Sequence, residues 1–367
     1  MDNFKKLILL CGAYLAFQIG SGVATGQEVM QYYTPYGWKM IGSAVIIIII
    51  YSLANYGFAY AGRYGNITKG NDVFAFYCGT KIGMIFDIFT NISCYLSYMV
   101  MISGAASTLK QQYGVPLIAG AGIIVVLSIL TVAYGLDSIV KVIGRIGPLL
   151  VFSIFVVVGI SLIRNSGNVS AGIEAVNSGT VEVTQVGKSW ITSGLSNGGM
   201  GILWLASFTG ELAKKEDFKR LLKASIMAFV TLVTVNSIIG LAILAQIDRL
   251  ADTQIPNLVI ATQLWAPLGH VFGIFIFAAI YTSACPLLWT SVSRFSDEGT
   301  SRFKILTVTF AIVALLIAMY VPYNKLLNGI YVLNGYIGFL ILVVMLVKRI
   351  SIFLHDKKEN KELLKQN

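Results

Sequence analysis

Ten stretches of this chain are apolar over about 20 residues each, the length that an α-helix needs to cross the hydrocarbon core of a bilayer. A chain can cross that core only as helices or as a closed β-barrel, because every backbone N–H and C=O group must be paired within the protein. The apolar runs lack the short alternating pattern of barrel strands. Charged residues make up only 12% of the sequence, compared with about 25% in soluble domains. The sequence therefore predicts an all-α integral membrane protein.

The basic residues predict how these helices are oriented. The ten predicted spans cover residues 5–31, 38–62, 80–107, 115–135, 138–164, 188–212, 222–247, 264–293, 303–321 and 326–348. With the N-terminus inside, 21 of the 27 Lys and Arg residues fall on the cytoplasmic side and 6 on the outer side. Because cytoplasmic loops carry an excess of basic residues, we predict a multi-pass protein of the plasma membrane with both termini in the cytoplasm. The net charge of +10 then reflects topology and predicts no nucleic-acid partner.

The longest predicted connection divides the spans into two sets of five. Because five is odd, the two sets cross the membrane in opposite senses, so halves that share a fold form an inverted repeat. The predicted units are a first five-helix repeat over residues 1–164, an extracellular connecting loop over 165–187, a second, inverted five-helix repeat over 188–349 and a cytoplasmic tail over 350–367.

A polar, glycine-rich stretch, residues 18–28, lies near the centre of the first predicted span, and residues 193–201 of the sixth span repeat the pattern. Glycine costs about 1 kcal/mol relative to alanine inside a helix, so a continuous helix gains nothing from these residues. Interrupted helices at corresponding positions of two halves indicate a transport site near the midplane. The half-helix ends would offer N–H groups to an anion and carbonyl oxygens to a hard cation.

Two adjacent hydroxyls, Thr282 and Ser283, lie in the eighth predicted span. Such hydroxyls most often bond back to carbonyls of the preceding helical turn. Facing a broken helix, they would instead complete a set of uncharged oxygen ligands for sodium.

Together these features resemble the LeuT-fold amino acid/polyamine/organocation superfamily. The run Gly22-Val23-Ala24-Thr25-Gly26-Gln27-Glu28 is similar in particular to the signature of its YkvI-type bacterial membrane proteins. The resemblance implies ten transmembrane helices in a 5+5 inverted repeat, with helices 1 and 6 broken.

The resemblance also implies roles for individual residues. Substrate contacts are expected from Gly20, Ser21, Gly22, Tyr95 or Tyr98, Ser196, Asn197, Gly198 and Gly199. Sodium ligands are expected from the carbonyl oxygens of Ala16, Ile19 and Ala279 and from the hydroxyls of Thr282 and Ser283.

Ionisable groups at membrane depth are costly, and they are treated as functional by default. Gln27 and Glu28 lie about two helical turns beyond Gly20, so Glu28 is assigned to an outer gate, to proton coupling or to a substrate amine. The alternative is a carboxylate solvated by an open vestibule. Asp87 and Arg145 are assigned to a structural or gating ion pair near the inner face.

The sequence thus predicts a sodium-coupled symporter that moves a small amino-acid-like or organic-cation solute by alternating access. Two alternatives remain open: a proton-coupled transporter that uses Glu28, and a ligand-sensing receptor subunit on the same fold that does not transport. The chain lacks a cluster of paired acids, or of His with Glu, at one depth, so no enzyme activity is predicted. No cofactor is expected, and sodium is the expected coupling ion. The expected partners are the solute and the lipid bilayer, and the sequence indicates no oligomeric state.

Overall fold

A computed structural model describes residues 3–320 and 323–366, with backbone only for 324–326, 328 and 352–366. Fourteen α-helices are present in these ranges. They are α1 Asn3–Thr25, α2 Gln27–Tyr32, α3 Met40–Tyr64, α4 Val73–Tyr113, α5 Leu117–Val132, α6 Leu136–Asn165, α7 Val169–Asn177, α8 Trp190–Lys215, α9 Phe218–Leu244, α10 Ile247–Leu250, α11 Pro256–Leu264, α12 Ala266–Ser293, α13 Ser301–Tyr320 and α14 Tyr323–Gln366. The all-α prediction is confirmed.

Eight of the described helices are long and apolar enough to cross a membrane, and α5 is a shorter apolar helix. The helix α8 has 26 residues but is not among the eight. Its polar residues Ser193, Ser196 and Asn197 are buried within the protein, so the helix does not need the apolar composition of a lipid-facing one. The chain is a multi-pass membrane protein, while the count of ten spanning helices remains a prediction.

The first helix lies at the centre of the bundle. Every residue of α1 from Leu10 to Thr25 is buried, and the helix packs against α6, α9 and α12. Contact with α6 is close, because a Cβ on Gly12 would overlap the Gly144 carbonyl and lie 2.8 Å from Pro148. Small residues of this kind let membrane helices approach closely. A second group of helices, α3, α8 and α14, packs beside this centre.

The helix α1 is kinked at Gly20, whose torsions are φ 54° and ψ −174°. Only glycine adopts such a conformation without a steric penalty. By contrast, α8 contains no residue with positive φ, so residues 193–201 continue as helix. A Cβ on Gly199 would overlap the Gly335 carbonyl of α14, and one on Gly198 would meet Ile50 of α3. In α8 these glycines therefore permit close helix packing, and a break in the sixth helix is not confirmed.

Short helices occupy two of the predicted connections. Residues 165–187, predicted as a loop, contain the nine-residue helix α7, in which a Cβ on Gly172 would overlap the Leu244 carbonyl of α9. The segment between α9 and α12 contains α11, which Pro256 begins. Both helices pack on the bundle, α7 against α9 and α11 against α6 and α12.

Candidate functional site

A hydroxyl from α12 is inserted into the hydrogen-bond ladder of α1. In a regular helix the N–H of Gly20 would donate to the carbonyl of Ala16. Here Gly20 N donates to Ser283 Oγ at 2.9 Å, and Ser283 Oγ donates to Ala16 O at 2.8 Å. The kink is therefore stabilised by a single side chain that partners both backbone groups.

The neighbouring hydroxyl joins the same cluster. Thr282 Oγ1 lies 3.1 Å from Ala16 O and 2.8 Å from Ala279 O. Four of the five residues expected to bind sodium are thus connected by hydrogen bonds, and all four are fully buried. The fifth, Ile19, is also buried in α1. The structure brings these oxygens together from α1 and α12, and binding of an ion there remains a prediction.

A buried carboxylate lies beyond the kink. Gly26, with φ 85°, ends the turn between α1 and α2, and Glu28 in the first turn of α2 is only 4% exposed. Its Oε1 accepts a hydrogen bond of 2.6 Å from Asn197 Nδ2 of α8. A Cβ on Gly22 would lie 2.5 Å from Glu28 Oε2, so glycine at that position leaves room for the carboxylate.

Glu28 has no cationic partner among the described side chains. Buried tyrosines lie near it instead: Tyr32 is on the same short helix, Tyr33 follows that helix, and a Cβ on Gly22 would meet both Glu28 and Tyr331. A carboxylate removed from water is costly unless a cation, a proton or hydrogen bonds compensate it. The described hydrogen bond to it comes from Asn197.

Several buried polar atoms near this carboxylate form no well-aligned hydrogen bond with the described residues. They include the hydroxyls of Ser21, Tyr32, Ser196 and Tyr331 and the Oε1 of Gln27. An unpaired buried polar atom costs about 1–3 kcal/mol, and such atoms usually find a partner in water or a ligand. Together with an ionised Glu28, these hydroxyls and the Gln27 oxygen provide more hydrogen-bond acceptors than donors, because a carboxylate can only accept. The site therefore suits a polar molecule that carries N–H donors.

The two predicted aromatic residues of α4 lie in different surroundings. Tyr95 is half-buried and donates to the Phe310 carbonyl of α13 at 2.8 Å, so its hydroxyl holds two helices together. Tyr98 is fully buried, and its hydroxyl has no partner among the described atoms. The α4 side chain that touches the kink is Met101, whose Sδ lies 3.1 Å from Ser21 N. Met101 follows Tyr98 by one turn on the same helical face, a spacing that could have identified it.

Two of the backbone amides predicted to bind a substrate carboxylate already have partners. Gly20 N donates to Ser283, and Ser21 N contacts the Met101 sulfur, which is a weak acceptor. The ring of Trp204 in α8 would lie 3.5 Å from a Cβ on Gly20. Sequence reasoning also missed this residue, although it lies on the helix that supplies Asn197.

An amide side chain caps the end of α1. Asn257 Nδ2 of α11 donates to the carbonyls of Val23 and Ala24 at 3.0 and 3.1 Å. These are among the last carbonyls of α1, which have no partner within the helix. The connection between α9 and α12 is thereby fastened to the segment that leads from the kink to Glu28.

Cavities lie near opposite ends of α4, which has 41 residues and is kinked at Gly79 (φ 74°, ψ 169°). One of about 530 Å³ is lined by Lys110, Ser103 and Tyr323; Tyr323 Oη lies 3.3 Å from Thr25 Oγ1, beside the carboxylate site. The other, of about 240 Å³, is lined by Asn71 and Asp297. The buried site lies between these two openings.

Ion pairs lie at and near the second cavity. Lys69 and Asp297 are 3.0 Å apart, and Asp87 Oδ2 lies 2.7 Å from Arg294 Nε. Asp87 therefore forms the predicted ion pair, but its partner is Arg294 of α12. The predicted partner Arg145 is exposed and pairs with no described carboxylate.

Comparison with known proteins shows what this architecture resembles. No family model matches the sequence. The chain is 22% identical over 344 residues to YkvI of Bacillus subtilis (strain 168), an uncharacterized membrane protein, covering 93% of this chain and 95% of YkvI.

Solved structures with the same fold include MhsT in complex with L-phenylalanine, with a TM-score of 0.67 and 15% identity over 91% of this chain and 87% of MhsT. A Na⁺-coupled sialic acid symporter gives a TM-score of 0.66 and 15% identity, covering 93% and 78% of the two chains. A manganese transporter of Eremococcus coleocola gives 0.55 and 12%, covering 96% and 87%. The resemblance to LeuT-fold transporters and to a YkvI-type membrane protein, expected from the sequence, is confirmed.

Proposed function

From the LeuT-type fold that this chain shares with solved transporters, we propose that it is a secondary active transporter of a small organic solute. The observation that carries the proposal is a buried polar site at a kinked helix between two cavities near opposite ends of α4. A site that opens to one cavity at a time permits transport by alternating access. The moving group would be α1, α3, α8 and α9, which rocks against α4, α5, α12 and α13.

Sodium is the proposed coupling ion. The cluster at the kink consists of uncharged oxygens from Ala16, Ala279, Thr282 and Ser283, and hard cations prefer oxygen ligands. The carbonyl of Ile19 would add a fifth ligand. Bound sodium would take over the hydroxyls that now bond to carbonyls, and it would link α1 to α12. An ion that prefers one arrangement of these two helices shifts the population toward that arrangement.

The proposed solute carries an ammonium or another N–H-rich cationic group. Glu28 has no basic partner among the described residues, and the buried tyrosines near it, such as Tyr32 and Tyr331, supply hydroxyl groups and aromatic rings. Aromatic faces attract organic cations as well. The site offers fewer free donors to a carboxylate on the solute, because the backbone N–H groups of Gly20 and Ser21 already have partners. Amines and amino-acid derivatives are therefore the proposed substrate class.

The test is uptake into proteoliposomes with a sodium gradient or an equal potassium gradient. Replacing Thr282 and Ser283 by alanine is expected to abolish the sodium dependence. Thr290 and Ser291 form a matched pair on the same helix, two turns later and fully buried, and their double alanine variant should keep it. Uptake that is equal in both gradients would overturn sodium coupling. Binding of a solute without any uptake would overturn transport and favour a sensor.

Proton coupling through Glu28 is a second candidate, because an acid buried without a cation can bind and release a proton as its surroundings change. A pH gradient that drives uptake by the normal chain and not by Glu28→Gln, with no effect of sodium, would support it. If uptake follows sodium alone and proceeds without a pH gradient, this second mechanism is excluded.

A further inference from the structure

A groove on the outer surface of the bundle follows the contact between α1 and α6, away from the candidate site. It encloses about 610 Å³ and is lined by Lys5 and Ile8 of α1 and by Lys141, Arg145 and Pro148 of α6. The two helices meet at its floor, where a Cβ on Gly144 would lie 2.5 Å from the Leu9 carbonyl. The groove is part of the surface that a bilayer would cover.

Three basic side chains converge in this groove. Lys141 and Arg145 lie four residues apart and therefore share a helix face, and Lys5 comes from the opposing helix. All three are exposed. No described carboxylate pairs with any of them. Like charges this close repel each other, so the groove favours an anion.

An apolar slot adjoins the basic groove. This second cavity, of about 380 Å³, lies between α6 and α9 and is lined by side chains such as Leu15, Phe152, Phe155 and Val235. Pro148 lines both cavities, so the basic groove and the apolar slot adjoin. A ligand that fits both parts must carry an anionic group on one end and a hydrocarbon chain on the other.

We propose that this surface binds an anionic phospholipid, with its phosphate at Lys5, Lys141 and Arg145 and one acyl chain in the slot lined by Phe152 and Phe155. Basic pockets between membrane helices attract acidic headgroups, and guanidinium groups bind phosphate with two hydrogen bonds. The lipid would join the first turns of α1 to α6. Because α1 also carries the kink at Gly20, lipid binding would act on the helix that the proposed transport cycle moves.

The test is native mass spectrometry of the purified full chain with phosphatidylglycerol and phosphatidylcholine at equal concentration. The normal chain should retain phosphatidylglycerol preferentially. Arg145→Gln should lower this preference about fivefold. The triple variant, in which Lys5, Lys141 and Arg145 are all replaced by Gln, should lower it by about a further fivefold for each additional charge removed. A charge-matched control replaces exposed basic residues elsewhere, namely Lys219, Lys223 and Lys304, and should keep the preference.

A second variant tests the apolar slot without changing the charge. Thr234 lines the slot and is exposed, so Thr234→Trp should fill it and weaken phosphatidylglycerol binding. Soluble glycerol 1-phosphate serves as the headgroup alone and should bind at least tenfold more weakly than the lipid. Equal retention of both lipids by the normal chain, an unchanged preference in the triple variant, or equal binding of glycerol 1-phosphate would each overturn the proposal. None of these outcomes depends on solute transport.

Discussion

Replacing Glu28 by glutamine is expected to weaken solute binding while making the solute-free protein more stable. Glutamine has nearly the same shape as glutamate, and its carbonyl can still accept the 2.6 Å hydrogen bond from Asn197. The substitution therefore removes the charge and little else. A buried charge without a cationic partner destabilises the folded protein, so the midpoint of thermal unfolding without solute should rise.

The magnitude for binding follows from the loss of a buried charge pair. Removing one partner of such a pair costs about 3–5 kcal/mol. The unbound amine is hydrated in water, and this offsets part of the loss. We therefore expect the lower part of that range, or roughly 100-fold weaker binding of an amine. The assay is a thermal-shift titration of the purified protein with a panel of amines and amino acids.

Glu216→Gln is the opposite control. Glu216 lies 3.8 Å from Lys6 and 3.5 Å from Arg220, so its substitution removes favourable pairs, lowers the unfolding midpoint slightly and leaves solute binding unchanged. The reasoning on Glu28 is refuted if Glu28→Gln binds the same amine within threefold of the normal chain. It is refuted equally if the variant unfolds at a lower temperature without solute.

Three further predictions concern the helices around the site. Asn257→Ala should lower the unfolding midpoint and increase protease cleavage of the segment after α9, because the Ala24 carbonyl loses its donor, at about 1–3 kcal/mol, and the Val23 carbonyl keeps only the bond from Gly26 N. Gly20→Ala should impair sodium-dependent uptake, because alanine at φ 54° and ψ −174° costs about 1–3 kcal/mol; Gly159→Ala, where a Cβ meets no atom within 4 Å, is the control and should leave uptake unchanged. Asp87→Asn breaks the 2.7 Å pair with Arg294, so it should raise the labelling of cysteines placed in the cavity lined by Asn71 and Asp297. Labelling equal to that of the normal chain would contradict a gating role.

Much of the architecture follows from patterns that act locally. Apolar runs and the distribution of basic residues depend on the bilayer as a solvent, and they identify a helical membrane protein without any knowledge of tertiary contacts. The glycine at position 20 permits a kink because few other residues tolerate positive φ. The pairing of Thr282 and Ser283 with α1 was expected through the resemblance to a known fold, since adjacent hydroxyls in a helix more often bond to their own helix.

Glycine has a different effect on the helix in each half of the chain, and only the packing of the helices decides which effect occurs. Gly20 takes a left-handed conformation, whereas Gly199 stays helical and lets α14 approach α8. Glycine permits both outcomes, so its presence cannot choose between them. The partners of side chains were likewise decided by which helices meet: Asp87 pairs with Arg294 rather than Arg145.

The sequence by itself therefore determined that the chain crosses a membrane as helices and that glycine at position 20 permits its first helix to bend. Those properties depend on solvent and on the conformational freedom of single residues. The tertiary structure decided which groups face each other, including the Ser283 hydroxyl that replaces a helical hydrogen bond and the Asn197 amide that donates to Glu28. Such contacts join residues more than 100 positions apart along the chain, and no local pattern records their separation in space.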